Sequence, residues 1–366
     1  MIRFSLLKHL NIFPLIIIIV LVSIGLVMLY SAANGSFYPW GAKQLVRFGI
    51  GFMCMLIIAV IDSRYWLSFA YIFYGVVLSL LLAVESMGFI GMGAQRWIDL
   101  YAFNLQPSEL MRIGVILALA RYFHSCSLED VRQIKTLVIP VAIILIPTIL
   151  AMRQPDLGTA FMLLLSGSAL LFVVGIRLWK FAAVGITGLA CIPILWSCLY
   201  SYQQQRILIF LNPENDPTKS GYHITQSKIA LGSGGILGKG FLQGSQSHLN
   251  FLPEKQTDFI FTMFSEEFGL VGAIILVSLY ALLIAFNFQI ALNARSQFGR
   301  LVAIGLTTTF FLYAFINMAM VMGFLPVVGI PLPFISYGGT AMITLLASQG
   351  LIFSVDLHKD IRIRRS

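Results

Sequence analysis

Apolar runs long enough to cross a lipid bilayer recur from residue 14 to residue 355 of this 366-residue chain, leaving no room for a water-soluble domain. A helix crossing the hydrocarbon core needs about 17–25 mostly apolar residues. Ten such stretches are predicted, near residues 12–32, 45–61, 65–84, 107–123, 137–152, 158–175, 181–200, 266–286, 301–322 and 336–355. They are rich in Leu, Ile and Phe and lack the alternation over about ten residues that a transmembrane barrel strand shows. Only 11% of the residues are charged, against roughly 25% in a soluble domain, so no water-facing surface could be covered. The expectation is an all-α polytopic membrane protein: one domain over residues 1–366, with a long extracytoplasmic loop at about 201–265 between helices seven and eight. Residues 5–33 also resemble a signal peptide, but the apolar run is long for one and an uncleaved first helix is expected.

Ten spans return both termini to one side. Fourteen basic residues lie in the two tails and the alternate loops: Arg3, Lys8, Arg64, Arg121, Arg132, Lys135, Arg177, Lys180, Arg295, Arg300, Lys359, Arg362, Arg364 and Arg365. The opposite short loops hold only Lys43, Arg47, Arg96 and Arg153. The positive-inside rule therefore places both termini in the cytoplasm. The net charge of +9 would suggest a nucleic-acid or acidic partner in a soluble protein. Here the inner face, with five acidic residues against its fourteen basic ones, carries the whole excess, and the outer side is neutral. The excess meets anionic inner-leaflet lipid, and no nucleic-acid partner is implied. Cys54, Cys126, Cys191 and Cys198 form no CxxC pair and are expected to be unpaired thiols.

Three outward segments interrupt the apolar pattern. In the first, Pro107 suits an opening helical turn and Ser108 and Glu109 suit a helix N-terminus. Glu109 and Arg112, three apart on one face at the membrane boundary, are expected to pair. In the second, Asp156 sits between two spans with almost no loop, where it either caps the next helix or enters the bundle to meet a cation such as Arg112. The third is the long loop. Its Gly232-Ser233-Gly234-Gly235 lacks the order of a phosphate-binding loop, and residues 222–230 are expected as a short amphipathic helix at the interface. From Asp258, the residues Thr262, Ser265, Glu266 and Gly269 follow at helical spacing, a polar stripe expected to line a cavity. Two function classes fit: a transporter with mid-membrane carboxylates, or an enzyme whose outer-face carboxylate acts as general base on a lipid-borne substrate. The acidic residues cluster toward the outer face, which favours the enzyme.

Five stretches, in order, resemble the SEDS family (shape, elongation, division and sporulation). They are Gly93-Ala94-Gln95-Arg96-Trp97-Ile98, Gln106-Pro107-Ser108-Glu109, Gln154-Pro155-Asp156-Leu157-Gly158-Thr159, the run from Leu252 through Glu254, Lys255 and Asp258 to Phe261, and the run from Pro331 to Gly339. Gly244-Ser245-Gln246-Ser247 and Val328-Gly329-Ile330-Pro331-Leu332-Pro333 are similar to the rod-shape (RodA) branch more than to the division (FtsW) branch, which stays as an alternative beside a precursor flippase. The resemblance implies a peptidoglycan glycosyltransferase of the bacterial inner membrane, with its active site on the periplasmic side. It would polymerise lipid II onto an undecaprenyl-diphosphate-linked glycan beside a class B penicillin-binding protein. Asp258 matches the family's essential loop aspartate, the implied general base. Glu109 and Asp156 match acidic cavity positions; Arg112 stands where the family usually has Lys. Arg96, Arg112 and Lys255 are candidates to hold the diphosphate, Trp97 to shape the cavity, and Ser108 and Glu254 belong to the motifs. No cofactor is implied with certainty, a divalent cation (Mg or Mn) being an option at the leaving group. The Pro331–Gly339 turn is expected to be architectural, its glycines letting the last helix pack closely.

Overall fold

The computed structural model describes residues 8, 10–87, 89–91, 94–99, 104–198, 201–212, 220–248 and 254–361. In chain order the helices are α1 Ile12–Ala32, α2 Trp40–Val60, α3 Ser63–Met87, α4 Pro107–Ser125, α5 Leu128–Arg132, α6 Val138–Arg153, α7 Leu157–Val174, α8 Leu178–Ala190, α9 Ile192–Cys198, α10 Ser201–Leu211, α11 Ser220–Ser233, α12 Ser245–His248, α13 Ile260–Asn293, α14 Gln297–Val321 and α15 Gly339–Leu357. Between α3 and α4 runs a small antiparallel sheet that the apolar pattern did not announce: β1 Phe89–Gly91, β2 Ala94–Asp99 and β3 Asn104–Leu105, in that order.

Among the described residues eight helices, α1, α2, α3, α6 with the turn before it (Lys135–Arg153), α7, α13, α14 and α15, are long and apolar enough to cross a membrane. The expected fourth and seventh spans fall outside that group for different reasons. The first is α4, whose 19 residues include Glu109, Arg112 and Arg121 and whose side chains from Met111 to Ala120 are all buried. It packs against α3, α6, α7, α14 and α15, so it is the centre of the bundle, where a helix enclosed on every side belongs. The second is divided into α8 and α9 around Cys191, with Pro193 in the first turn of α9, where a missing N–H does no harm. Cys54, Cys126 and Cys191 are free thiols, and the side chain of Cys198 lies outside the described residues.

Close approach between helices is set by α2 and α15. A Cβ on Gly350 would stand 2.6 Å from the Met55 carbonyl oxygen, whereas one on Gly338 would meet nothing nearer than Ala341 Cβ of α15 itself at 3.3 Å, and one on Gly339 nothing nearer than Arg47 at 4.0 Å. The tight packing of the last helix therefore lies in its middle, and not at the glycines of the preceding turn.

The longest helix, α13, is two helices in line. Gly269 between them has φ 64° and ψ −162°, a conformation essentially reserved for glycine. The break is closed by the long loop. Leu270 and Val271 N–H donate to the carbonyls of Gly235 and Ile236 (3.0 and 3.1 Å), and Lys239 and Gly240 N–H donate to those of Glu266 and Glu267 (3.0 Å each). Glu266 also takes Lys239 Nζ at 2.7 Å, and Glu267 accepts from Ser31 Oγ of α1 at 2.5 Å.

The polar stripe is thereby corrected. Asp258 precedes α13 and is not on it. Thr262, Ser265 and Glu266 are enclosed, as are their neighbours Phe261, Met263 and Phe264, so this half-helix lines no open cavity. Residues 222–230 are helical as expected: they belong to α11, which packs on α13 and α14, with Ser227 buried and bonded to the Val321 carbonyl at 2.9 Å.

Replacing Gly269 by Ala would force a side chain into that backbone and place its Cβ 2.3 Å from Gly238 N. The expected cost is about 1–3 kcal/mol, measured as a lowered midpoint of thermal inactivation in detergent.

Candidate functional site

The end of the bundle that carries the loop holds its buried charges. Gln106 precedes α4, Pro107 opens it, Ser108 is enclosed in its first turn, and Glu109 lies in that turn where the helix dipole favours an anion. Glu109 Oε2 accepts from Arg112 Nη1 at 2.8 Å and from the Tyr313 hydroxyl of α14 at 2.7 Å. The Arg112 guanidinium lies over the Tyr313 ring, 4.4 Å from its centroid, and its Nη2 donates to Thr159 Oγ1 at 3.2 Å. Thr159 passes the bond on to Asp156 Oδ2 at 2.8 Å, and its N–H donates to Asp156 Oδ1, so Asp156 is the N-cap of α7. Gln106 donates to the same Oδ2 at 3.1 Å. Arg96 of β2 completes the chain, its Nε 3.8 Å from Asp156 Oδ2 and its Nη2 donating to the Pro155 carbonyl.

Two carboxylates and two guanidinium groups thus form one neutral network from β2 through α7 and α4 to α14. Glu109, Arg112 and Asp156 are 4–5% exposed, while the Arg96 side chain is 31% exposed. Arg112 Nε has no acceptor. Beside it, a cavity of about 20 Å³ lined by Glu109, Thr309, Tyr313, Thr344 and Ser348 has room for about one water molecule.

The second part is the turn before α13. Glu254 has φ 52°, and its carbonyl accepts from Thr257 N (3.0 Å) and Thr257 Oγ1 (3.1 Å). Its carboxylate accepts from Gln256 Nε2 and Thr257 Oγ1, both at 3.2 Å, so Glu254 staples the turn. Three consecutive carbonyls are then held from outside. Gln256 O accepts from Tyr337 N (2.8 Å), Thr257 O from Ser336 Oγ (2.6 Å) and Asp258 O from Asn317 Nδ2 (3.0 Å). The Pro331–Gly339 turn is therefore architectural in a specific sense: it clamps the backbone of the Asp258 turn. Asp258 itself is half-buried. Lys255 is enclosed, and desolvation draws its amine below the usual lysine range.

One short segment joins the two parts. A Cβ on Gly329 would be 3.6 Å from Asp258 Oδ2, and a Cβ on Gly158, two residues after Asp156, would be 2.3 Å from the Val328 carbonyl oxygen. Residues 328–330 thus lie against both the Asp258 turn and the start of α7, and only glycine at 158 permits that approach.

The expected Glu109–Arg112 pair is present. The expected direct meeting of Arg112 with Asp156 is replaced by a bridge through Thr159, and the cation nearest Asp156 is Arg96, brought there by the sheet. Trp97 is half-buried opposite Phe89 in the β1–β2 pair. Tyr313 and Asn317 were not singled out from the sequence, and Gln106 and Thr159 were named only as members of the matching stretches. Thr309, Tyr313 and Asn317 recur at every fourth residue along the second half of α14, whose other residues from 310 to 321 are apolar, and that spacing was the available signal.

A helical bundle crossing the membrane many times, with a buried charge network and a clamped aspartate turn gathered at one end, defines a multi-pass membrane protein with one polar working face. Residues 9–361 match the family model of the cell cycle proteins FtsW, RodA and SpoVE, and the chain belongs to that family. It is 43% identical over 355 residues to the peptidoglycan glycosyltransferase MrdB of Escherichia coli (strain K12), covering 96% of this chain and 94% of that protein. Among solved structures it resembles a chain from work on "structural coordination of polymerization and crosslinking by a peptidoglycan synthase complex", with TM-score 0.82, 30% identity and coverage of 96% of this chain and 98% of that one. It also resembles the rod shape determining protein RodA of Thermus thermophilus, with TM-score 0.72, 26% identity and coverage of 96% and 98%.

Arg112→Met leaves Glu109 as a buried unpaired charge and is expected to cost about 3–5 kcal/mol. Adding Glu109→Gln should recover much of that loss, and melting of the single and double variants in detergent measures the coupling.

Proposed function

We propose that this chain is a peptidoglycan glycosyltransferase of the bacterial inner membrane that extends glycan strands from lipid II during cell elongation, beside a class B penicillin-binding transpeptidase. Similarity to MrdB along nearly the whole chain supports the reaction class, and similarity to a rod shape determining protein supports elongation over division. Similarity to a chain of a polymerising and crosslinking complex supports the transpeptidase partner. The observation that carries the mechanism is the presentation of Asp258: a half-buried carboxylate on a turn whose carbonyls at 256, 257 and 258 are each held from outside the turn.

In this reading the loop face is extracytoplasmic and Asp258 takes the proton from the acceptor sugar 4-hydroxyl. The oxygen attacks the anomeric carbon of the growing chain, and the diphosphate lipid leaves with the bonding pair. One displacement turns the α-linkage into β, so a single base on the attacking side suffices and a good leaving group lessens the need for an acid. Arg96 is the most accessible cation for the departing diphosphate. Arg112 is committed to Glu109 and Thr159 and acts as the anchor of the network; its permanent charge suits that role and not proton shuttling. A diphosphate beside Lys255 would favour the charged amine that burial disfavours. Among the described residues no group of three or more His, Cys, Asp and Glu is placed to hold a metal ion; Mg or Mn would arrive with the diphosphate, which needs only one or two carboxylates from the protein.

Reconstituted with its partner and supplied with lipid II, the protein should make glycan polymer. Asp258→Ala should slow polymerisation by about 10²–10⁴-fold while keeping its fold and its partner. Polymer at the wild-type rate from that variant overturns the base assignment. Transbilayer movement of labelled lipid-linked substrate without polymer, in the same vesicles, would make the protein a flippase.

A further inference from the structure

Asn317 has no place in the mechanism above, yet it lies wholly enclosed, 0% exposed, near the loop end of α14. Its Nδ2 donates to the carbonyl of Asp258 at 3.0 Å and to the carbonyl of Ile330 at 2.7 Å. Both acceptors are carbonyl oxygens, so only the amide nitrogen can face them and the orientation of the carboxamide is settled by chemistry. Its Oδ1 points away from both and has no donor. Both N–H groups of one side chain are therefore spent on two backbone oxygens from segments far apart in sequence.

Those two oxygens matter because of what else the segments do. Asp258 O belongs to the residue before the Phe259 N-cap of α13, so a bond there fixes where the base leaves the chain. Ile330 O belongs to the strip whose Val328 carbonyl rests on Gly158 beside the Asp156 cap, and whose Gly329 lies against the Asp258 carboxylate. The other donors to the turn, Tyr337 N and Ser336 Oγ, hold the two preceding carbonyls and come from a single loop. Asn317 is the donor that comes from a membrane-spanning helix, the helix that also supplies Tyr313 to Glu109 one turn further in.

We infer that Asn317 is a positioning residue for Asp258, acting through the backbone of residue 258 to hold the carboxylate at the reacting hydroxyl. The inference rests on the reading of Asp258 as general base. A small displacement of a base from its hydroxyl costs rate without weakening substrate binding, because the lost interaction belongs to the transition state.

The test is polymerisation of lipid II by the full complex, scored per folded, partner-bound molecule, for Asn317→Leu, Asp258→Ala and the double variant. Asn317→Leu, with the same side-chain branching but without donors, is expected to lower kcat by about 100-fold, with KM for lipid II within about twofold of wild type. The double variant should be no slower than Asp258→Ala alone, since residues that act as a unit do not add their losses. Asn317→Ser keeps one donor; it should recover part of kcat and serves as the test if the Leu variant does not fold. A wild-type kcat in the folded variant, or a further loss on adding Asn317→Leu to Asp258→Ala, overturns the inference. If instead Asp258→Ala remains fully active, the base assignment itself fails, a distinct result from the same set.

Discussion

A guanidinium enclosed in a membrane bundle must be answered by acceptors, and Arg112 is the group to which the rest of the working face is fitted. Breaking a buried pair by losing one partner costs several kcal/mol, so the elements that answer Arg112 are held in place by that need. Glu109 answers it on the same helix, Tyr313 covers it from α14, and Thr159 reaches it from the first turn of α7. Thr159 is in turn oriented by Asp156, and Asp156 attracts Arg96 from the sheet. One charge thereby sets the mutual placement of α4, α7, α14 and β2.

The arrangement separates two duties that a carboxylate can perform. Glu109 and Asp156 are almost fully enclosed and saturated with donors, which suits them to fix geometry. Asp258 is half-buried, and its surroundings immobilise its backbone while its side chain stays nearer to the surface. The rigid support comes from residues 328–337, which reach the Asp258 turn on one side and α7 on the other. A nucleophile-activating group and the cations for a leaving group can then share one frame.

Much of this was legible in the residue pattern, and the failures have identifiable causes. Apolar length marked all eight long helices, and the spacing of three between Glu109 and Arg112 marked their pair, because both follow from helix geometry alone. The contact of Arg96 with Asp156 was hidden because a sheet across residues 89–105 makes it, and short strands leave a weak trace beside membrane helices. The span at 107–123 was read as one of ten equals, although its three charged residues already separated it from helices that face lipid. The polar stripe from Asp258 to Gly269 failed at its last member: glycine there ends one helix and starts another, and period alone does not reveal a break that another segment of chain repairs.

That repair has a mechanical meaning. The two halves of α13 are coupled through residues 235–240 more than through their own backbone, which turns aside at Gly269. Lifting that strip of loop would break four backbone hydrogen bonds, strip four backbone groups of α13 of these partners and release the hold of Lys239 on Glu266, at about 1–3 kcal/mol for each group left buried and unsatisfied. The strip therefore splints the two half-helices across the glycine, and the aspartate turn, which lies just before Ile260, is carried on one rigid piece with both of them.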